Sequence, residues 1–317
     1  MARIKHLKVA NAWQSLTPGS LVDVVAPASK CPKHELEAGI KALESWGFRV
    51  RVSPNLFANN LLHSNSEKER WSQLKAALLA KDSSAIWCAR GGYGSMKLLP
   101  MLAKMRKPAR SKVLLGLSDI TSLMVFLNQK WKWPTLHAPI LSRIGRGDLP
   151  TTTIEELKSV LLGQTEKLDY SLTALNVAAE KTKTLSGSFV GGNWAVIMAN
   201  LGTPYQLKPK GCILFLEDVG ERGYRLDRFW EQLQQMNFWK DISAVVFGDF
   251  TEGDEPDGKN LIWDILKMRA QELKKPVYFG VPAGHGQIQR VLPLGVPVEI
   301  RKNAEGIVAT LATGSLA

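Results

Sequence analysis

Four short stretches of this sequence carry reactive residue types at positions where an α/β chain presents side chains to solvent. Gly116-Leu117-Ser118-Asp119 follows an apolar run and precedes a helical one. A serine on such a strand-to-helix turn is held outward, and the helix amides behind it favour developing negative charge. Ile120 stands where a G-x-S-x-G elbow would have its second glycine, so the same stretch also reads as an ordinary helix cap. Arg90-Gly91-Gly92-Tyr93-Gly94 likewise follows an apolar run, and its glycine amides can point at an anion. It is not a Walker loop, because the spacing to Lys97 is wrong and the Ser/Thr is missing. Glu217-Asp218 closes a third apolar run, where the acids are either solvated or one of them orients a histidine. His285 lies between Gly284 and Gly286, framed by Pro282 and Gln287, with no regular face to pack into.

Together these stretches hold a serine, an acid and a histidine in the order Ser…acid…His, with a glycine loop able to supply oxyanion donors. A serine hydroxyl is a poor nucleophile until a neutral imidazole takes its proton, and the acid fixes the imidazole's tautomer and stabilises the imidazolium. The imidazole of such a unit is expected to titrate near the ordinary range, about 6 to 7. Strand parity does not choose the acid. Ile213 and Phe215 share a face with Glu217, Leu214 and Leu216 share one with Asp218, and both sets are apolar.

The elements that must position these residues alternate. Residues 21–26, 48–52, 85–89 and 113–117 read as strands, separated by helical patterns at 33–46 (Leu36, Ile40, Leu43) and 67–79, with another helix from about 120 to 130. Strand–helix alternation with crossovers of this length predicts a mostly parallel sheet covered on both faces, where ligands collect at the carboxyl ends of the strands. From 146 to 185 the pattern weakens to a polar helix at 152–162 and then mixed polar sequence, and this passage reads as a linker region between an N-terminal domain (1–145) and a C-terminal domain (186–317). The second half offers strands at 212–216 and 244–247, helices beginning near 192 and at 225–236 and 261–273, and short Pro/Gly-punctuated strands to the end.

At 317 residues and 45% hydrophobic, the chain can bury two cores. No apolar run reaches the roughly 20 residues needed to cross a bilayer. Residues 1–10 show no signal-peptide pattern, so the chain reads as soluble and cytoplasmic. The cysteines Cys31, Cys88 and Cys212 form no CxxC pair, and the five histidines no metal motif, so neither a metal nor a cofactor is expected. The net charge of +12 raises a nucleic-acid reading, with Lys97, Lys104, Arg106, Lys107, Arg110 and Lys112 as its best local support. There is no helix-turn-helix signature, RNP-like motif or basic tail, and the cluster reads as a solvated face that also attracts anionic substrates.

The same residues carry a resemblance to the LD-carboxypeptidase family of serine peptidases, which includes the microcin C immunity peptidases. It rests on Val25-Ala26-Pro27-Ala28-Ser29, Ala89 to Gly94, Gly116 to Asp119 and His137-Ala138-Pro139. It continues in Gly191-Gly192-Asn193, Leu216-Glu217-Asp218 and Gly280-Val281-Pro282-Ala283-Gly284-His285-Gly286. Seven modestly specific blocks in the family's order, from about residue 20 to 295, make a specific match.

The resemblance implies a flavodoxin-like N-terminal parallel-sheet domain carrying Ser118 as nucleophile. It implies a smaller C-terminal α/β domain carrying Glu217 and His285, with the site at the junction. The amides of Gly92 and Asp119 would form the oxyanion hole. Arg90, Tyr93, Asn193 and Arg222 are candidates for substrate binding. The implied reaction removes terminal D-alanine from a muropeptide tetrapeptide in peptidoglycan recycling, without metal or cofactor, in a homodimer that binds neither nucleic acid nor membrane. Two other readings stay open: an immunity peptidase acting on a peptidyl-nucleotide toxin, and a non-catalytic muropeptide-binding protein.

Overall fold

The computed structural model describes residue 9 and residues 11–316. The stretch 1–10, read above for an export signal, falls outside the described residues apart from Val9. Among the described residues no helix is long and apolar enough to cross a membrane.

The N-terminal sheet runs, in spatial order, Arg49–Val52, Leu21–Val25, Ser83–Cys88, Val113–Gly116 and Thr135–His137. All four pairings are parallel, and the chain-order numbering 2-1-3-4-5 is one of the common doubly wound arrangements. Val113–Gly116 is buried throughout and Ser83–Cys88 nearly so, as both-face coverage requires. The helix Glu67–Leu79 starts where its sequence says it should: the Ser66 hydroxyl accepts from the Glu69 amide at 3.2 Å. A sixth strand, Leu292–Leu294, adds antiparallel to the edge strand Thr135–His137, pairing Leu292 with His137. It comes from the C-terminal half of the chain.

One residue of the basic cluster departs from the reading as a solvated face. Lys112 is buried, and its ammonium donates to the Ala77 carbonyl and to Ser83 Oγ, both at 2.6 Å. Asp23, in the interior strand Leu21–Val25, lies 4.0 Å away. A lysine just before an apolar strand is drawn in with it when a buried acid and carbonyl await its head group.

The C-terminal half is a barrel rather than a small α/β domain, which corrects the expectation. Among the described residues seven strands close upon themselves in the order Ala244–Thr251, Val277–Phe279, Lys167–Ala174, Gly306–Ala312, Val296–Asn303, Thr184–Asn193 and Cys212–Val219. The strands found by sequence, Cys212–Val219 and Ala244–Thr251, are parallel and almost wholly buried, and the helices Gly223–Gln235 and Ile262–Glu272 cover them. That portion does read as α/β. The other half of the wall is antiparallel and half-exposed: Lys167–Ala174 alternates exposed and buried along KLDYSLTA, too polar for an apolar run to be recognised. The passage 146–185 therefore contains the helix Thr151–Leu161, this barrel strand and the helix Val177–Lys181.

The core under the N-terminal sheet, with Trp87 and Leu115, continues without a break into Phe189, Phe215 and Val298 inside the barrel. The two halves share one interior, and the site lies where they meet.

Candidate active site

Val113–Gly116 ends on a turn whose next residues form a short 3-10 segment, Ser118–Ile120, leading into the helix Thr121–Phe126. Ser118 takes φ +62°, a left-handed conformation that a side chain bearing Cβ adopts only under constraint. The constraint is burial: across residues 112–128, Ser118 alone is not buried. The turn expels one hydroxyl from an otherwise sealed stretch, the arrangement of a nucleophile elbow.

The glycine loop lies against it. A Cβ placed on Gly91 would sit 2.9 Å from Ser118 Cβ, so the close approach of the two backbones depends on glycine. Gly92, at φ +93°, faces Ser29, whose hydroxyl accepts from the Tyr93 amide at 3.1 Å. Asp119 joins loop to turn. Its Oδ2 accepts from the Ser95 amide at 2.8 Å, and its carbonyl accepts from the Ser95 hydroxyl. Burial raises the Asp119 carboxyl above its ordinary range, and these bonds to Ser95 and Gly94 oppose it. Arg70, buried, donates to the carbonyls of Pro27 and Gly94 and so ties the loop to the end of the first strand of the sheet.

The barrel contributes the charged groups. Glu217 is 0% exposed, and His285 Nδ1 lies 2.8 Å from its Oε2. A carboxylate can only accept here, so Nδ1 carries the hydrogen and Nε2 of the neutral ring is left as a base. Gly284, at φ +143°, makes the approach possible, since a Cβ there would meet Glu217 Oε2 at 2.9 Å. Burial by itself would push Glu217 up. The charge of His285, its hydrogen bond and the nearby His137 ring outweigh it and hold the carboxyl at about 2. For His285 burial acts downward, and the adjoining Glu217 charge carries the net shift upward.

Asp218 points the other way, as alternation along a strand requires. Its Oδ1 accepts from Asn193 Nδ2 and its Oδ2 from the Ala195 amide, both at 2.8 Å. Burial, and then the neighbouring Glu217, raise it to about 7. It fastens the start of the helix Trp194–Ala199 and does not reach the His285 ring.

Contacts bring the two halves together. Gly116 pairs in register with His137, whose Nε2 is 3.6 Å from Glu217 Oε1, and Glu217 in turn binds His285. Thr121, three residues past Ser118, accepts from the Asn193 amide at 3.0 Å, and Asn193 is the register partner of Glu217.

The candidates for substrate contact separate. Arg90 and Tyr93 are exposed on the glycine loop, Arg90 donating to the Lys30 carbonyl at 3.0 Å and Tyr93 lying beside His63. Arg222 lies 3.1 Å from Glu255 and over the Tyr224 ring. Asn193 is buried, its amide bonded to Asp218 and its Oδ1 accepting from the Val196 amide, so it supports the site from behind.

Two residues had no role assigned from sequence. His137 is buried against Phe215 at the end of its strand. Asp249 sits beside both glycines that flank His285, and burial followed by the Glu217 charge raises it to about 6. Both stand at strand ends, which was the available signal. Among the described residues no group of three or more His, Cys, Asp or Glu side chains is arranged to hold a metal ion.

Comparison with known proteins places this geometry. Residues 22–138 match the LD-carboxypeptidase N-terminal domain and residues 186–300 the LD-carboxypeptidase C-terminal domain. The murein tetrapeptide carboxypeptidase of Pseudomonas aeruginosa is 30% identical over 298 residues, covering 92% of this chain and 95% of that protein. The microcin C7 self-immunity protein MccF of Escherichia coli is 23% identical over 301 residues, 87% of this chain and 88% of its own. Among solved structures, the muramoyltetrapeptide carboxypeptidase of Oxalobacter formigenes superposes with a TM-score of 0.79 at 25% identity, over 92% of this chain and 99% of that one.

Proposed function

Because the chain belongs to the LD-carboxypeptidase family of serine peptidases, we propose that it releases the terminal D-alanine from a muropeptide tetrapeptide. The observation that supports this reading is the His285 ring, whose Nδ1 is held by a buried carboxylate, in a chain whose other half turns Ser118 outward at φ +62°. The name of the Pseudomonas relative supports the choice of substrate.

Ser118 Oγ attacks the carbonyl of the scissile L,D bond while His285 Nε2 takes its proton. The oxyanion that forms accepts from the amides of Gly92 and Asp119. His285 then returns the proton to the departing amine, D-alanine leaves, and a water repeats the sequence to free the shortened peptide. Glu217 stays ionised throughout and stabilises the imidazolium. Arg90 and Tyr93 on the loop, with Arg222, receive the peptide and its terminal carboxylate. The enzyme acts in the cytoplasm as a homodimer, an assignment that rests on the family resemblance.

The test is incubation with free and sugar-linked tetrapeptide, followed by mass spectrometry for loss of D-alanine. An all-L analogue should be turned over at least about 100-fold less efficiently. Comparable kcat/KM for the two diastereomers would sink the stereochemical claim, and hydrolysis of an aminoacyl nucleotide in place of the tetrapeptide would favour the immunity reading.

A further inference from the structure

Glu217 stands near one end of the strand Cys212–Val219, and a second concavity opens at the other. Five residues of extended chain separate Cys212, in its wall, from Glu217, a span of about 16 Å. The cavity has a volume of about 590 Å³, within the range that holds a small molecule. Its walls come from both halves of the chain: residues 125–132 on one side, residues 205–212 and the barrel strands on the other.

Its electrostatics are one-sided. Lys130, Lys132, Lys208 and Lys210 line it, and no aspartate or glutamate does. None of these four ammonium groups is in an ion pair among the described residues. Four like charges around one concavity repel each other, and an anion placed there relieves that repulsion. The wall is also fixed. Gln129 Nε2 donates to the Lys208 carbonyl at 2.7 Å, and the Lys208 amide donates back to Gln129 Oε1 at 2.8 Å. Residues 127–131 form a turn of π-helix, a form that recurs at functional sites, and Lys132 follows in the left-handed conformation.

Asn128 lines the same cavity and is 4% exposed. Its Nδ2 donates to the Trp133 carbonyl, Thr135 Oγ1 and the Leu294 carbonyl, which fixes the amide. Its Oδ1 is buried with no partner. Phe126 and Tyr205, with ring centroids 6.4 Å apart, give the cavity an apolar wall.

We infer that this cavity, at the junction of residues 125–132 and the barrel, is a binding site for a phosphate-bearing small molecule with a ring, separate from the peptide site. The ammonium groups meet the phosphates and the aromatic wall meets the ring. Nucleotides and sugar phosphates both present this chemistry.

Isothermal titration of the full chain with ADP, fructose 1,6-bisphosphate, pyrophosphate and adenosine tests the assignment. ADP or the bisphosphate is expected to bind with a Kd below about 1 mM at low salt, weakening as salt is raised, while adenosine does not bind. ADP binding more tightly marks the nucleotide class, and the bisphosphate the sugar phosphates. The double variant Lys132→Ala/Lys208→Ala should bind at least about tenfold more weakly, with kcat on the tetrapeptide unchanged. No heat from any phosphate up to about 5 mM would overturn the proposal. So would equal affinity in the double variant, competition by the tetrapeptide, or tighter binding of a single-stranded oligonucleotide than of ADP. Pyrophosphate binding as well as either ring-bearing ligand would remove the ring contact.

Discussion

In the N-terminal sheet the reactive residue is placed by main chain. Ser118 is held at φ +62° by buried neighbours, by the glycine loop packed on it and by the Asp119–Ser95 bonds. In the barrel the reactive residues are placed by charge, with Glu217 and His285 paired away from water. The first kind of placement depends mainly on shape. The second depends on protonation and reports on it. The first three substitutions below act on one half of the molecule and should leave the other intact.

The largest effect is expected at the nucleophile. Ser118→Ala retains the backbone and removes the hydroxyl, so kcat should fall by about 10⁴-fold or more while tetrapeptide binding stays within a few-fold. Calorimetry on the variant beside single-turnover kinetics checks both halves. Retention of more than about a tenth of wild-type kcat would end the serine mechanism.

On the charge side, Glu217→Gln keeps the volume but offers His285 Nδ1 an amide that can donate. We expect kcat to fall by roughly 10³- to 10⁴-fold. The pH profile gives an independent reading. Because Glu217 raises His285, wild-type kcat/KM should climb with pH through an apparent pKa above the ordinary histidine value. Without the Glu217 charge, burial remains as the downward influence, so the midpoint of the residual activity should move to lower pH. An unmoved midpoint would show that another group is titrating.

Asp218→Asn separates the neighbours. Its carboxylate accepts from Asn193 and Ala195, and an amide turns one of those contacts donor to donor, costing about 1 to 3 kcal/mol of stability. Activity should fall only about tenfold, since the His285 contact is untouched. If this variant is the inactive one and Glu217→Gln is active, the acid has been misassigned.

The smallest effect on catalysis belongs to Lys112, remote from either mechanism. Burial lowers it to about 8 from an unfolded value of 10.5, so the unfolded chain holds a proton that the folded one lacks between those values. Its contribution to stability should therefore rise with pH across that window. Lys112→Met removes that dependence, leaves the Ala77 carbonyl unpaired and should leave kcat unchanged. Denaturant melts of both proteins at pH 7.5 and 10 compare the slopes, and identical slopes would count against the buried charge.

Much of the N-terminal half was legible because both-face burial writes itself as apolar runs: the helix expected at 67–79 is Glu67–Leu79, and the strand at 113–117 is Val113–Gly116. The barrel was half legible for the converse reason. Thr184–Asn193 and Gly306–Ala312 are themselves part-exposed, and each closes the barrel through one partner more than a hundred residues away. Ser118, Glu217 and His285 were visible as residue types at strand ends and between glycines. The choice of Glu217 over Asp218 was not, since both flank apolar faces, and what separates them is that His285 and Asn193 stand on opposite sides of the strand. His137 and Asp249 were missed because their meaning comes from a neighbour brought in from another part of the chain.

The strand Leu292–Leu294, which completes the N-terminal sheet, fixes when during synthesis that sheet can close. At the usual pace of translation, about 5 to 20 residues per second, roughly 8 to 30 s pass between the emergence of His137 and that of its edge partner. During that interval the nascent sheet exposes the unpaired edge of Thr135–His137, and Ser118 already exists without its base. A released fragment ending at residue 185 should therefore self-associate through that edge, which sedimentation at rising concentration would detect, and a monomeric fragment would speak against it. The late strand acts as a timer: the edge of the sheet that carries Ser118 stays open until residues 292–294 have left the ribosome.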